Sequence, residues 1–214
     1  YNLMPKIGRW VIEHCFRYLS RHHDGQTRFT INLSGMSLGE EATLDFIREQ
    51  IRHYRIDPLC LCFEITETAA IANLVKASRL ISTLKSLGCR FALDDFGTGY
   101  SAISYLKNLP LDQIKVDKSF VTDMLASPRG GAVVSTILSL ADNLSLEVVA
   151  EGVETSEQVD FLKAQGCPAF QGFLFSKPSP ASITWMNRGG ELVLSPAISP
   201  ARRDADAVIN GDAR

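Results

Sequence analysis

Six polar residues punctuate the chain: Asn32, Glu64, Asp94, Lys115, Glu151 and Gln171. Each falls near the carboxyl end of a short apolar or β-branched run, respectively "RFTINLS", "LCLCFEITE", "RFALDDFG", "QIKVD", "LEVVAEGVE" and "AFQGFLFS". Asp94 is followed at once by Asp95, then by Phe96, Gly97, Thr98 and Gly99. Carboxylates brought within a few ångströms of one another repel and cannot all stay ionised without compensation. If Glu64, Asp94, Asp95 and Glu151 converge, that compensation must come from a cation, from Lys115, or from both. The donors are all oxygens, the carboxylates plus the Asn32 amide, a set that selects Mg²⁺ or Mn²⁺ over zinc. A carboxylate shared between two such ions suits hydrolysis of a phosphodiester, in which one ion helps generate hydroxide and both steady the charge on phosphorus.

Each residue also has a plainer reading. Asp-Asp before glycine commonly makes a turn, because aspartate bonds neighbouring backbone amides. Asn32 could cap the following helix, and Lys115 with Asp117 could be a weak rim ion pair. Glu64 and Glu67 could be solvated, Glu151 and Glu154 could simply end a strand, and Gln171 beside Gly172 carries little by itself. Adjacent strand residues point to opposite faces, so Asp94 and Asp95 can share a site only if the backbone turns at the strand end. Gly97 and Gly99 make such a turn inexpensive. What favours chemistry is the joint placement.

The elements that would position these residues alternate. Between most of the apolar runs lie amphipathic stretches such as "EEATLDFIREQIRHY", "NLVKASRLISTLKSLG", "AVVSTILSLADNLS" and "SEQVDFLKAQG". Gly88 and Gly166 stand where helices should stop, and Thr155 with Gln158 where one should start. Strands alternating with helices predict parallel strands joined by crossovers, an α/β fold. Successive marked residues are separated by 32, 30, 21, 36 and 20 positions. An eightfold barrel uses roughly 30 residues per unit and carries its chemistry at the strand ends. An open doubly wound sheet gathers its ligands at one switch point instead, so the barrel is the preferred reading.

Composition narrows the function. The 214 residues are 45% hydrophobic and 21% charged with a formal net charge of -2, an ordinary globular balance with no basic excess for a DNA or RNA polymer. The apolar runs are too short to span a membrane, and the start does not read as a signal peptide. Five irregularly spaced cysteines (15, 60, 62, 89 and 167) read as buried thiols, which fits a cytoplasmic protein. His22 and His23 read as a solvated helix end rather than a metal site. Residues 1–190 are read as one domain and residues 191–214, within a Pro-, Ala-, Asp- and Arg-rich stretch, as a disordered tail.

The stretches "INLS" (31–34), "FEITET" (63–68), "LDDFGTGYS" (93–101), "LKNLPLDQIKVDKSF" (106–120), "VVAEGVET" (148–155) and "QGFLFSKP" (171–178) resemble the EAL family of cyclic di-GMP phosphodiesterases. The resemblance covers nearly all of residues 7–180. It implies a TIM-like (β/α)₈ barrel with one antiparallel strand, and hydrolysis of cyclic di-GMP to linear pGpG with two Mg²⁺ or Mn²⁺ ions. It implies that Asn32, Glu64 and Asp94 hold the first ion and that Asp94, Asp95 and Glu151 hold the second. Lys115 would sit by the attacking water, with Glu151 assisting its deprotonation. Glu67 would anchor the loop of residues 96–101, which in the family links the metal site to a dimer interface. Asp117, Glu154 and Gln171 would complete the surroundings and the substrate contacts. Ala102 departs mildly from the family pattern, which often has serine there. The first two strands, and the Glu-Ala-Leu signature whose glutamate is a further metal ligand, are expected upstream of Tyr1, so six βα strands are expected here. A homodimer, a preceding sensory or signalling domain, a possible membrane attachment outside this stretch and inhibition by Ca²⁺ complete the expectation. Two competing readings are a receptor that binds cyclic di-GMP without hydrolysing it and a purely structural dimerisation module. Loss of acidic ligands would favour the receptor, and the dimerisation module explains none of the strand-end acids.

Overall fold

The structure is a computed structural model that describes residues 3–22, 28–39, 41–98 and 105–177. Gly99, Ala102, His23 and the 191–214 tail lie outside the described residues. The chain runs α1 (Met4–His22), β1 (Phe29–Asn32), α2 (Glu41–Tyr54), β2 (Leu61–Thr66), α3 (Glu67–Ala72), α4 (Leu74–Lys85) and β3 (Arg90–Phe96). It continues through β4 (Gln113–Val116), α5 (Lys118–Asp123), α6 (Pro128–Asn143), β5 (Glu147–Ala150), α7 (Ser156–Ala164) and β6 (Ala169–Phe170). The six strands form one parallel sheet in the order β1-β2-β3-β4-β5-β6. Sequential order with every neighbour parallel is the arrangement of a barrel wall, and it places all six carboxyl ends along one rim. The antiparallel strand implied by the family resemblance is not among these six.

The two faces of the sheet do different work. Ile31, Phe63, Ile65, Phe91, Leu93, Ile114, Val116, Val148, Ala150 and Phe170 are buried and join helix residues such as Phe16, Ile47, Ile81, Leu84 and Leu138 in one apolar core. The Phe63 and Phe91 rings lie 5.6 Å apart within it. Burying each of the valine, leucine, isoleucine and phenylalanine side chains among them contributes about 1.5–3 kcal/mol. The alternate residues Cys62, Ala92 and Val149 are also buried yet stand outside that core. They share the opposite face with Glu64, Asp94, Gln113 and Lys115, because strand side chains alternate.

Local chemistry sets the boundaries. The Thr155 hydroxyl accepts from the Gln158 amide at the start of α7, while Gln158 reaches back to complete a capping box. After α4 the chain stops at Gly88 with φ of 106°, and after α7 at Gly166 with φ of 81°. Two short helices, α3 and α5, begin directly at strand ends, capped by Thr66 and Asp117. The "AFQGFLFS" run forms a strand only over Ala169–Phe170 and then turns, so this element is shorter than its composition predicts. All five cysteines are buried and free. Among the described residues no helix is long and apolar enough to cross a membrane.

Candidate active site

The site is organised by an irregularity in β3. Its register with β4 shifts between Leu93 and Phe96, so the strand bulges at the two aspartates before Phe96 pairs with Val116. Asp95 takes a positive φ of 54°, a conformation that aspartate tolerates better than most residues but that still needs support. The expectation that the strand would end and glycines would supply the turn is therefore corrected. The backbone reverses its alternation at Asp95 itself, inside the strand, and Gly97 follows with φ of 100°. As a result one carboxylate oxygen each from Asp94, Asp95 and Glu151 lie within 4.8 Å of one another.

Lys115 projects from β4 into this group. Its Nζ stands 2.6 Å from Glu151 Oε1, 3.0 Å from Glu64 Oε1 and 3.2 Å from Asp94 Oδ1. Lys115 and Glu64 are each 6% exposed, so these contacts are made largely away from water. The strand ends are tied in the same places: Glu151 N–H donates to the Val116 carbonyl at 3.1 Å. Asn32 is the register partner of Glu64 at the end of β1 and is exposed. Glu67, at the start of α3, is fully buried, and its Oε2 accepts the Gly97 N–H at 2.8 Å.

Three carboxylates thus contact one ammonium with Asp95 close by, and the protonation equilibria of Glu64, Glu151 and Asp95 record the imbalance. Burial pushes Glu64 up to about 7, with Asp94 and Glu151 adding to the shift and Lys115 opposing it. Burial also raises Glu151, again against Lys115 and with help from Asp94 and Asp95. Asp95 is raised by burial and then by Asp94 and Asp117. Burial disfavours the charged form of Lys115, but Glu64, Glu151 and Asp94 outweigh it and move the ammonium up. A divalent cation would supply the missing positive charge. Asp94 Oδ1 fits that demand: it is buried and has no hydrogen-bond partner, since Lys115 approaches it outside hydrogen-bonding geometry. The hard-oxygen donor set is the kind that holds Mg²⁺ or Mn²⁺.

The sequence profile described as the EAL domain matches residues 1–178. The chain belongs to the EAL domain family. It is 38% identical over 182 residues to the cyclic di-GMP phosphodiesterase NbdA of Pseudomonas aeruginosa, covering 84% of this chain and 23% of that protein. The solved PaMucR phosphodiesterase in complex with c-di-GMP superposes with a TM-score of 0.76 at 33% identity, covering 84% of this chain and 74% of that one. The FimX EAL domain of Pseudomonas aeruginosa bound to c-di-GMP gives 0.80 at 28% identity, over 88% and 75%. This chain spans about a quarter of the length of the curated relatives it matches.

Around the carboxylates, the other predicted residues of the EAL domain make local bonds of their own. Asp117 caps α5: its Oδ1 accepts from the Ser119 amide at 2.9 Å and from the Ser119 hydroxyl. Burial would raise its pKa, but these bonds prevail and lower it. Glu154 is exposed, and its amide donates to Gln158 Oε1 at 2.7 Å. The Gln171 side chain is exposed, while its backbone joins β5 to the following turn through bonds to Ala150 and Val153. Thr98 donates to the Asp95 carbonyl at 2.9 Å, and Phe96 is buried in the core. The EAL domain also places near the site a residue absent from the sequence reading. Tyr105 is 7% exposed, and burial together with the Glu67 carboxylate raises the pKa of its phenol. Nothing in local pattern marks it, because Glu67 lies 38 positions away.

Proposed function

We propose that this EAL domain hydrolyses cyclic di-GMP to linear pGpG with two divalent ions, Mg²⁺ or Mn²⁺. The observation that carries the reading is the bulge at Asp94–Asp95, which gathers the oxygens of Asp94, Asp95 and Glu151 within 4.8 Å beside Lys115. Asn32, Glu64 and Asp94 would hold one ion, and Asp94, Asp95 and Glu151 the other. The ions, when bound, would supply Lewis acidity toward water and phosphate. Lys115 orients the attacking water by donating to it, and Glu151 receives the proton that the water gives up. As the new bond to phosphorus forms, the P–O bond to the ribose 3′ carbon's oxygen breaks, and that oxygen leaves as the 3′ hydroxyl of the linear product after taking a proton from solvent. Glu67 holds the segment that follows the aspartates through Gly97. Asp117, Glu154 and Gln171 lie toward the rim and would meet the substrate.

The partner chemistry follows from the same site. Cyclic di-GMP brings two phosphodiesters to a mouth of hard ligands, whereas the net charge of -2 offers no track for a DNA or RNA polymer. A homodimer, a preceding sensory or signalling domain and a cytoplasmic location belong to this proposal. Hydrolysis of cyclic di-GMP by the intact protein, followed by chromatographic detection of pGpG, tests it. Turnover should require Mg²⁺ or Mn²⁺ and vanish with chelator. Ca²⁺ should inhibit, since it tolerates longer and looser coordination than Mg²⁺. Binding of cyclic di-GMP with no pGpG formed under any of these ions would replace the enzyme by a receptor.

A further inference from the structure

We propose that α5 is a positioning wedge for the carboxylate cluster: Phe120 seats it against Gly97 and Lys118 seats it against Gly152, so that one helix sets the spacing of Asp94 and Asp95 from Glu151. The inference rests on the metal-site reading above and extends it to a helix that supplies none of the ligands. Gly97 lies two positions after Asp95, and Gly152 directly follows Glu151. Both have positive φ, 100° and 67°. A Cβ on Gly97 would come within 2.6 Å of Phe120 Cε2 and 2.9 Å of its Cζ. A Cβ on Gly152 would overlap Lys118 Cβ and stand 3.3 Å from its Cα. Each glycine is thus a notch in which α5 packs directly on backbone, one beside the acids of β3 and one beside the acid that follows β5.

These strand ends need holding. β3 and β5 are not neighbours in the sheet, since β4 lies between them. Their acids nonetheless bring oxygens within 4.8 Å of one another, and like charges at that range push the two ends apart. The helix α5 starts just beyond β4, three residues after Lys115, and reaches both flanks. The Asp117 amide that leads into it donates to the Phe96 carbonyl at 3.5 Å. Behind the wedge, Val121 is fully buried and its carbonyl accepts from Gln158 Nε2 of α7 at 3.3 Å. A Cβ on Gly130 of α6 would overlap the Asp123 carbonyl oxygen, so α6 closes on the last turn of α5. A helix braced by two neighbours and pressed on bare backbone in front resists the repulsion, because close-packed contacts transmit strain rather than absorb it.

The test uses the intact protein and the variants Phe120→Ala, Gly97→Ala and their combination. Mn²⁺ affinity by calorimetry should fall about tenfold in F120A and about a hundredfold in G97A, the range for residues that orient metal ligands. In the double variant the ring that the new methyl group strikes is gone. The loss should then be no greater than in G97A alone, whereas independent effects would multiply. Without metal, F120A should shift the NMR amide resonance of Gly152 as well as that of Gly97, because both notches are seated on one helix. Leu19→Ala, a buried packing change in α1, should lower thermal stability and leave Mn²⁺ affinity alone. Wild-type affinity in F120A, losses that multiply in the double variant, or a resonance change confined to Gly97 would overturn the proposal. Should F120A unfold, Phe120→Leu repeats the test, and loss of cooperative unfolding in both assigns Phe120 to core packing instead. If the wild type binds no Mn²⁺, the metal-site reading fails, and the Gly97 and Gly152 resonances still decide whether α5 acts as a wedge.

Discussion

Lys115 Nζ stands 2.6 Å from Glu151 Oε1, the shortest of its three carboxylate contacts. The two residues are also bound through their strands, since the Glu151 amide donates to the carbonyl of Val116. An ammonium at the focus of several acids substitutes in part for a cation. It lets metal-free strand ends approach one another that would otherwise repel.

Replacing this ammonium should therefore hurt most when no metal is present. Lys115→Met keeps the length of the side chain and removes its charge, leaving Glu64, Asp94 and Glu151 buried without their partner. Breaking a buried ion pair from one side costs about 3–5 kcal/mol. Thermal unfolding in chelator should show that loss, and saturating Mg²⁺ should recover a large part of it while hydrolysis stays impaired. Equal destabilisation with and without Mg²⁺ would mean that the acids do not share a cation.

Asp94→Asn is a near-isosteric change at the residue proposed to serve both ions. It removes a charge from the centre of the cluster while keeping the bulge. The folded protein should keep its circular dichroism spectrum and show no cyclic di-GMP turnover above background at saturating Mg²⁺. Unchanged turnover would eliminate the shared-ligand role.

Much of this arrangement was legible in the sequence, for definable reasons. Runs such as "LCLCFEITE" and "QIKVD" are apolar because their strands are covered, so strand positions and parallel order followed from composition and spacing. The convergence of Glu64, Asp94, Lys115 and Glu151 followed too, because every parallel strand delivers its carboxyl end to the same rim. The bulge did not follow. A left-handed Asp95 arises from local backbone bonding and from the Glu67–Gly97 contact, neither of which leaves a periodic signature. Asp117 as the cap of α5 was available in principle from Ser119 two positions on. Tyr105 was beyond reach, because the influence of Glu67 on its phenol exists only after the chain has folded.

The acids also fix the direction of a pH dependence. Glu64 is raised from 4.5 to about 7, and Glu151 and Asp95 move the same way. A carboxyl whose folded pKa exceeds its unfolded value binds its proton more tightly when folded. Its stabilising contribution is complete below about 4.5 and disappears as pH rises through about 7. For Glu64 the shift corresponds to about 3 kcal/mol. Lys115 contributes no slope here, because it stays charged throughout this window. Thermal unfolding in chelator should show stability contributed by this cluster falling from pH 5 to pH 8. Mg²⁺ should stabilise little at pH 5 and strongly at pH 8, because protons and metal compete for the same oxygens. A Mg²⁺ effect independent of pH would place the ion elsewhere.

Gly172 offers a test of the rim that involves no charge. A Cβ at this position would meet the Val153 backbone, at 2.1 Å from its oxygen and 2.2 Å from its nitrogen. Backbone atoms cannot rotate aside as a side chain can. Moreover, Val153 is held from both directions, donating to the Gln171 carbonyl and accepting from the Leu174 amide, each at 3.0 Å. Gly172→Ala should therefore cost about 3 kcal/mol, the upper end for overpacking, and displace the turn that carries Gln171. Gly166→Ala is the natural comparison. Its φ is 81° but a Cβ there would meet nothing within 4 Å, so only the backbone penalty of about 1–2 kcal/mol applies. Urea denaturation midpoints should rank wild type above G166A and G166A above G172A. Only G172A should also raise the KM for cyclic di-GMP, because only there does the strain fall on the segment beside the proposed substrate contact. If both variants shift KM alike, the close packing of Gly172 on Val153 is not what holds Gln171 at the rim.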